Sequence, residues 1–146
     1  MNTKVNSYLN AMLVAILGVL GFGCDRVVAE YGVPSADFTL EGEVTNESKE
    51  PLKDIQIVMR RGWTDNSDSV RWEQYNDTLY SGVDGRYYKS YPRDFPLDHC
   101  RVIANDPSGV YESDTIDARV SYSGGDGHWY EGEAQLTADF VLKRFK

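Results

Sequence analysis

Residues 53–60 read KDIQIVMR, a short run in which every second side chain is apolar, namely Ile55, Ile57 and Met59. This spacing of two puts the three apolar side chains on one face of an extended chain. Residues 38–43 (FTLEGE) follow the same rule, with Phe38 and Leu40 separated by polar positions. Such alternation predicts strands that turn one face towards a core and the other towards water.

The rest of the chain continues this pattern of short extended runs. Clusters of turn-forming residues separate them at 46–51 (NESKEP), 82–85 (GVDG), 105–109 (NDPSG) and 123–128 (SGGDGH). No long stretch after residue 24 keeps a helical period, and the 10 Tyr and 3 Trp suit a pleated surface. We therefore predict an all-β fold over residues 36–146, a single antiparallel β-sandwich of about seven strands.

The first 23 residues differ from everything that follows. They hold one charged side chain, Lys4, and residues 11–22 (AMLVAILGVLGF) are wholly apolar or glycine. A positive start followed by an apolar run of about 7–15 residues is typical of a secretory signal peptide. A membrane-spanning helix needs about 20 residues, so the run of residues 11–22 is too short to cross a bilayer comfortably. We predict a signal-peptide helix over residues 1–23 and export of the chain.

Residues 20–24 (LGFGC) resemble the lipobox of bacterial lipoproteins, with the small Gly23 directly before Cys24. The resemblance implies that Cys24 receives diacylglycerol, that the peptide is cut before it, and that further acylation, as with palmitate, follows. Several acyl chains give stable anchoring where one does not. Residues 24–35 would then be a lipid-anchored tether, with the protein held in the cell envelope at the outer membrane. A plain signal peptide with an incidental cysteine and an uncleaved N-terminal anchor are the alternatives.

Charge and cysteine content narrow the possible partners. The chain has 15 Lys+Arg against 23 Asp+Glu, a net charge of -8, which argues against a nucleic-acid partner because such binding needs a basic surface. With Cys24 lipidated, Cys100 has no partner for a disulfide. It is expected as a small buried apolar residue on a strand.

Several segments resemble known families. Residues 42–44 (GEV), 51–57 (PLKDIQI) and 82–87 (GVDGRY) resemble the start of carboxypeptidase-regulatory-like, transthyretin-like β-sandwich domains. Over nearly its full length the chain resembles the radical-SAM-associated lipoproteins of Bacteroidetes, through residues 30–34 (EYGVP), 124–132 (GGDGHWYEG) and 139–143 (DFVLK). That resemblance implies a lipoprotein with an all-β domain and a functional link to a radical SAM enzyme. It implies no biochemical activity.

Candidate chemistry in the chain is sparse. No Gly-x-Ser-x-Gly nucleophile elbow occurs and no EF-hand spacing is present, so we assign no catalytic residue and no cofactor. Asp106 lies in a strong turn, and Asp114 and Asp117 follow it. The three are candidate ligands for calcium at a sheet end, because calcium binds carboxylate oxygens. The alternative is a solvated acidic loop.

Aromatic and hydroxyl side chains supply two further candidate sites. Trp129 and Tyr130 follow a glycine-rich loop and are candidates for a sugar- or peptide-binding platform, as are Trp63 and Trp72; core packing is the alternative. Asp followed by Ser or Thr and an aliphatic residue occurs three times and is similar to the O-glycosylation acceptor of exported Bacteroidetes proteins. The candidate acceptors are Ser69, Thr78 and Thr115. Chance occurrence is the alternative.

Three functions remain open at this stage. The first is a lipid-anchored cell-envelope protein, with its lipid in the membrane and its β-sandwich serving as a non-catalytic binding or structural module for an envelope protein or glycan. The second is a substrate or accessory protein of a radical SAM modification system. The third is a calcium-dependent or hydrolytic envelope enzyme.

Overall fold

The computed structural model describes residues 32–74 and 76–146, and Val33–Lys146 forms one compact unit. None of the described residues lies in a helix, so none belongs to a helix able to cross a membrane. The predicted signal-peptide helix, Cys24 and most of the predicted tether lie outside these residues. The strands are β1 (Ser35–Asn46), β2 (Gln56–Thr64), β3 (Val70–Trp72), β4 (Asp77–Tyr80), β5 (Arg86–Asp94), β6 (His99–Asn105), β7 (Asp114–Arg119), β8 (Ser123–Gly124), β9 (Tyr130–Thr137) and β10 (Phe140–Leu142).

The all-β prediction is confirmed, and the strands form two facing sheets. The first sheet is built on β1, which has β5 on one side and both β9 and β10 on the other, with β8 outside β9. β5 runs antiparallel to β1, whereas β9 and β10 run parallel to it. The expectation of a wholly antiparallel sandwich is therefore corrected. Parallel neighbours need a long crossover, and here the chain passes through the second sheet before it returns beside β1.

The second sheet is antiparallel throughout. β2 pairs with β6, and β6 pairs with β7 at one edge. At the other edge, β3 and β4 pair with successive parts of β2. The strand count rises from the expected seven to ten because edge strands such as β3 and β8, with 3 and 2 residues, are too short to leave a pattern in the sequence.

The core lies between the sheets and is apolar. Phe38, Leu40 and Val44 of β1 face it from the first sheet, and Ile57 and Met59 of β2 face it from the second. Each is at most 2% exposed, as their alternation in the sequence predicts. Burial of such side chains contributes roughly 1.5–3 kcal/mol each.

Cys100 belongs to this core. It lies in β6 with 0% exposure, as expected for a small apolar strand residue. Burial raises the pKa of its thiol to about 12. The thiol is therefore protonated and unreactive at neutral pH.

Gly42 of β1 leaves room for a contact between β5 and the segment that joins β9 to β10. The Tyr87 hydroxyl donates a hydrogen bond to the carbonyl oxygen of Ala138, between β9 and β10. A Cβ atom on Gly42 would lie 2.0 Å from that carbonyl oxygen and 2.7 Å from the Tyr87 hydroxyl. Only a residue without a side chain fits at this crossing.

Candidate binding surface

The outward face of the second sheet carries a group of basic, aromatic and aliphatic side chains. On β2 they alternate with the core residues Ile57 and Met59, and on β6 with Cys100 and Val102. The strand register places Arg60 opposite Arg101, and Arg101 opposite Asp117. We call this surface the arginine face; its members are Val58, Arg60, Trp72, Arg101, Ile103 and Asp117.

Trp72 is seated over a glycine on this face. It lies on β3 opposite Gly62 of β2, and a Cβ atom on Gly62 would come within 2.9 Å of the indole ring. The guanidinium carbon of Arg101 is 4.4 Å from the centroid of the same ring. This distance is typical of a cation–π contact, which favours arginine over tryptophan.

Arg101 is also paired with a carboxylate. Its Nε and Nη2 atoms donate hydrogen bonds of 2.6 and 2.7 Å to the two oxygens of Asp117. This fork holds the pKa of Asp117 below its usual range, mainly through the side-chain hydrogen bond. The charge of Arg101 is thereby balanced, and its plane is set by both the indole and the carboxylate.

Arg60 differs from its neighbour. In the part of the chain that the structure describes, it makes no ion pair, and its Nε atom is buried without a hydrogen-bond partner. It faces the like charge of Arg101 across the strands, which is unfavourable by itself. A buried donor without a partner costs about 1–3 kcal/mol. An anionic oxygen placed over Arg60 would balance the charge of the guanidinium, whereas the buried Nε atom is out of reach of an external partner.

The outward face of the first sheet has the opposite sign. We call it the acidic face; its members are Asp37, Glu41, Glu43 and Glu133. The Glu41 carboxylate accepts a 2.7 Å hydrogen bond from the amide of Gln135. A cavity of about 440 Å³ lies beside Glu41 and Glu43 and is also lined by Asp139. The acidic face also holds Arg86, opposite Glu43, so it carries four carboxylates and one guanidinium, against two guanidinium groups and one carboxylate on the arginine face.

A cluster of charged groups joins the two sheets along the edge between β4 and β5. Lys89 contacts Asp77 at 2.6 Å, and Arg61 contacts Asp94 at 2.5 Å. The ring of Tyr91, 7% exposed, lies between them, 5.3 Å from the Lys89 nitrogen and 5.2 Å from the Arg61 guanidinium. Hydrogen bonding to Arg61 lowers the pKa of Asp94. We call these five residues the edge clamp.

The predicted aromatic pair lies elsewhere. Trp129 is 41% exposed in the loop before β9. Tyr130 begins β9, and its hydroxyl donates a 3.0 Å hydrogen bond to Asp37 while the Arg93 guanidinium lies 4.4 Å from its ring. Tyr130 is therefore fixed on the first sheet, and the more exposed Trp129 is the member of the pair open to contact.

The three carboxylates predicted to bind calcium are not brought together. Asp106 accepts hydrogen bonds from the main-chain N–H groups of Ser108, Val110 and Tyr111 and organises its own turn. Asp117 is held by Arg101, and Asp114 accepts from the main chain of Thr115. Among the described residues, no three His, Cys, Asp or Glu side chains are grouped so that they could hold a metal ion.

The predicted glycosylation residues all lie on the surface. Ser69 precedes β3, Thr78 is on β4 and Thr115 is on β7, and each side chain is exposed. Thr78 stands opposite Val58 and Thr115 opposite Ile103, so these two threonines border the aliphatic part of the arginine face. Their modification stays a prediction.

Sequence reasoning did not identify Arg60 and Arg101. Trp72 stood among the candidate platform aromatics, but its guanidinium partner is 29 residues away along the chain. One signal was present. In residues 53–60, Val58 and Arg60 occupy positions that alternate with the core residues, so the period of two already places this arginine on the outer face of the strand.

Comparison with known proteins gives a fold and no family. No family model matches the chain, and no curated protein does. Among solved structures, a 3-chlorocatechol 1,2-dioxygenase from Rhodococcus opacus matches with a TM-score of 0.50 and 12% identity, over 80% of this chain and 62% of that one. A catechol 1,2-dioxygenase from an Acinetobacter species, inhibited by bound mercury, matches with a TM-score of 0.50 and 13% identity, over 96% and 70%.

A chlorocatechol 1,2-dioxygenase from Pseudomonas putida is similar to the same degree, with a TM-score of 0.50, 15% identity and coverage of 75% and 61%. The chain spans about three-fifths of the length of the Rhodococcus and Pseudomonas enzymes. At such identities the likeness is one of fold, and function has to be argued from the site.

Proposed function

We propose that the chain is a lipid-anchored cell-envelope protein whose β-sandwich is a non-catalytic binding module, with the arginine face as its binding surface. Cys24 carries the lipid in this proposal, and the module meets its partner on the envelope. The observation that carries the proposal is Arg60, which makes no ion pair among the described residues and faces the like charge of Arg101 across β2 and β6. An unpaired guanidinium beside a second one favours an anionic partner.

An acidic glycan fits this surface best. Its carboxylates would meet Arg60, while the apolar faces of its sugar rings would lie against Val58 and Ile103, which are opposite one another on β2 and β6. The face runs across several strands, so it offers an extended polymer more than one contact. The net charge of -8 would repel such a polymer from the rest of the molecule.

Retention of a soluble polyuronate tests the binding surface. Full-length protein in phosphatidylcholine vesicles is expected to retain polygalacturonate and not neutral dextran. Arg60→Gln should weaken retention about tenfold, the loss expected for one charge-assisted hydrogen bond. Arg86→Gln is the matched control, because Arg86 is an exposed arginine of β5 in the other sheet.

Two outcomes would oppose the binding proposal. Absence of polygalacturonate retention by the unchanged protein is the first, and equal losses in the two arginine variants are the second. Retention of polyglutamate in place of polygalacturonate would assign the face to an acidic peptide.

The anchor is tested separately, by intact mass and membrane fractionation of the protein and of Cys24→Ser. We expect acyl chains on the mature protein and, in the variant, loss of both the acyl mass and cleavage before residue 24. Unchanged mass, processing and membrane retention in Cys24→Ser would contradict lipidation. The radical SAM link and the enzymatic alternative stay predictions from the sequence.

A further inference from the structure

Exposed apolar side chains surround the point at which the chain enters the sandwich. β1 begins at Ser35, whose N–H donates a 2.7 Å hydrogen bond to the carbonyl oxygen of Trp129. On the other side of β1, Ala36 is paired with Asp94, the residue before Phe95. Trp129 and Phe95 therefore flank the first residues of β1, and Val33 lies two residues before it.

These three side chains belong to a larger set of exposed apolar side chains, which also includes Val83, Val141 and Phe145. Val33 is 70% exposed, Phe95 48% and Trp129 41%. We call them the tether end of the sandwich. A surface aromatic or aliphatic side chain alone needs no explanation, but three around one point suggest a contact.

The tether end is held in place by interactions beneath it. The Phe95 ring lies 6.3 Å from the ring of Trp63, whose Nε1 donates a 3.1 Å hydrogen bond to the carbonyl oxygen of Pro96. On the Trp129 side, the Asp126 carboxylate accepts hydrogen bonds from the main chain of His128 and of Tyr130. The exposed rings are thus presented by braced segments.

Chain length limits what this end can meet. Cys24 precedes Ser35 by 35 − 24 = 11 residues, and a fully extended chain covers at most about 3.6 Å per residue. A lipid on Cys24 therefore keeps Ser35 within about 40 Å of the membrane surface. Tryptophan is enriched at the boundary between membrane and water, where its ring meets both the acyl region and the headgroups.

We infer that the tether end docks on the bilayer surface, with Trp129, Phe95 and Val33 entering the headgroup region of zwitterionic phospholipid. The inference rests on the proposed lipid anchor. The contact is apolar and aromatic, since a chain with a net charge of -8 gains nothing from anionic lipid. Docking by one end leaves the outward faces of both sheets open, so the arginine face stays available to a partner.

Environment-sensitive labels test the inference on the full-length protein. Cys100 is buried with a raised thiol pKa and Cys24 is blocked by lipid in the proposal, so an introduced cysteine is the accessible thiol. Trp129→Cys and Phe95→Cys place a nitrobenzoxadiazole label at the tether end. Val141→Cys is the matched control, an exposed apolar residue of β10, which pairs with the far end of β1.

The labelled proteins are reconstituted into phosphatidylcholine vesicles with and without brominated acyl chains. We expect a blue shift and quenching by brominated lipid at positions 129 and 95, and neither at 141. Labels at 129 and 95 that stay as accessible to water as the label at 141 would overturn the inference. Two positions are labelled so that one poorly folded variant does not decide the result.

The same samples separate this inference from the proposed anchor. Protein without an introduced cysteine takes up label only if Cys24 is unmodified, and that result would refute lipidation. In that case the measurement is repeated with the labelled variants made in Cys24→Ser, which has no thiol at residue 24, after mixing with the same vesicles. The depth of the label at 129 then still supports or overturns docking.

Discussion

The acidic face and the arginine face are built from the same kind of strand, yet they satisfy their charges differently. On the acidic face, carboxylates accept hydrogen bonds from neighbouring groups, as Asp37 does from the Tyr130 hydroxyl and the Arg93 main chain. On the arginine face, Arg101 is held by an indole and a carboxylate, while Arg60 lacks an ion pair among the described residues. This difference shows that alternation along a strand places polar groups on the outer face. The neighbours across the strands then determine which of these groups have a partner within the fold and which can bind another molecule.

The largest expected effect is a loss of stability at Gly42 of the first sheet, which we compare with the loss at Gly62 of the second sheet. Gly42→Ala should destabilise the fold by about 3 kcal/mol or more, because its Cβ would overlap the Ala138 carbonyl at 2.0 Å. Gly62→Ala should cost about 1 kcal/mol, since its Cβ meets the movable Trp72 side chain. Urea unfolding of both variants measures the contrast. Equal losses would show that the crossing over Gly42 is not the tighter of the two.

The second expected effect is on the pH dependence of stability, through Asp94 of the edge clamp. The pKa of Asp94 is lower in the folded than in the unfolded protein, so its contribution to stability is complete above about pH 4 and is lost as the pH falls through the folded-state pKa. Asp94→Asn should therefore flatten the acid limb of the stability profile below about pH 4. Urea midpoints across this range test it. Parallel profiles for the variant and the unchanged protein would argue against the clamp.

A smaller effect is expected at Arg101. Arg101→Gln removes the contact with Trp72 and the fork to Asp117, and we expect a loss of about 1 kcal/mol because water screens this half-exposed pair. Trp72 fluorescence should shift to the red as the ring loses its cover, with Arg86→Gln as the control. An unchanged emission maximum would mean that the guanidinium does not shield the indole.

The smallest effect is expected on the acidic face. Glu133→Gln should change the free energy of unfolding by less than about 0.5 kcal/mol, as is usual for an exposed strand position. It should leave polygalacturonate retention nearly unchanged, whereas Arg60→Gln should not. A comparable loss of retention in both variants would remove the functional distinction between the two faces.

The all-β class and the core residues could be predicted from the sequence. Alternation identified Phe38, Leu40, Ile57 and Met59 as inward-facing, and all four are buried. The Asp84-Gly85 turn was also predicted, and Gly85 has the positive φ of 76° that such a turn requires. These features depend on neighbours within a few residues, so a local pattern suffices to predict them.

The mixed first sheet and the arginine face could not be predicted in the same way. β10 lies parallel to the end of β1 although 94 residues separate Asn46 from Phe140. Arg60 and Arg101 meet because β2 and β6 pair in one particular register. A shift of one residue would send each side chain to the opposite face, and the register is selected by the packing of the whole core.

Residue order by itself determined that this chain forms strands, which side chains enter the core, and that an apolar run precedes Cys24. Only the tertiary structure decided which strands are neighbours, that Trp72 lies beneath Arg101, and that Val33, Phe95 and Trp129 surround one point. The physical reason is the distance along the chain between the residues that determine each feature. Extended conformation and burial follow from adjacent residues, whereas a surface that binds is assembled from strands whose pairing is settled by contacts distant in the chain.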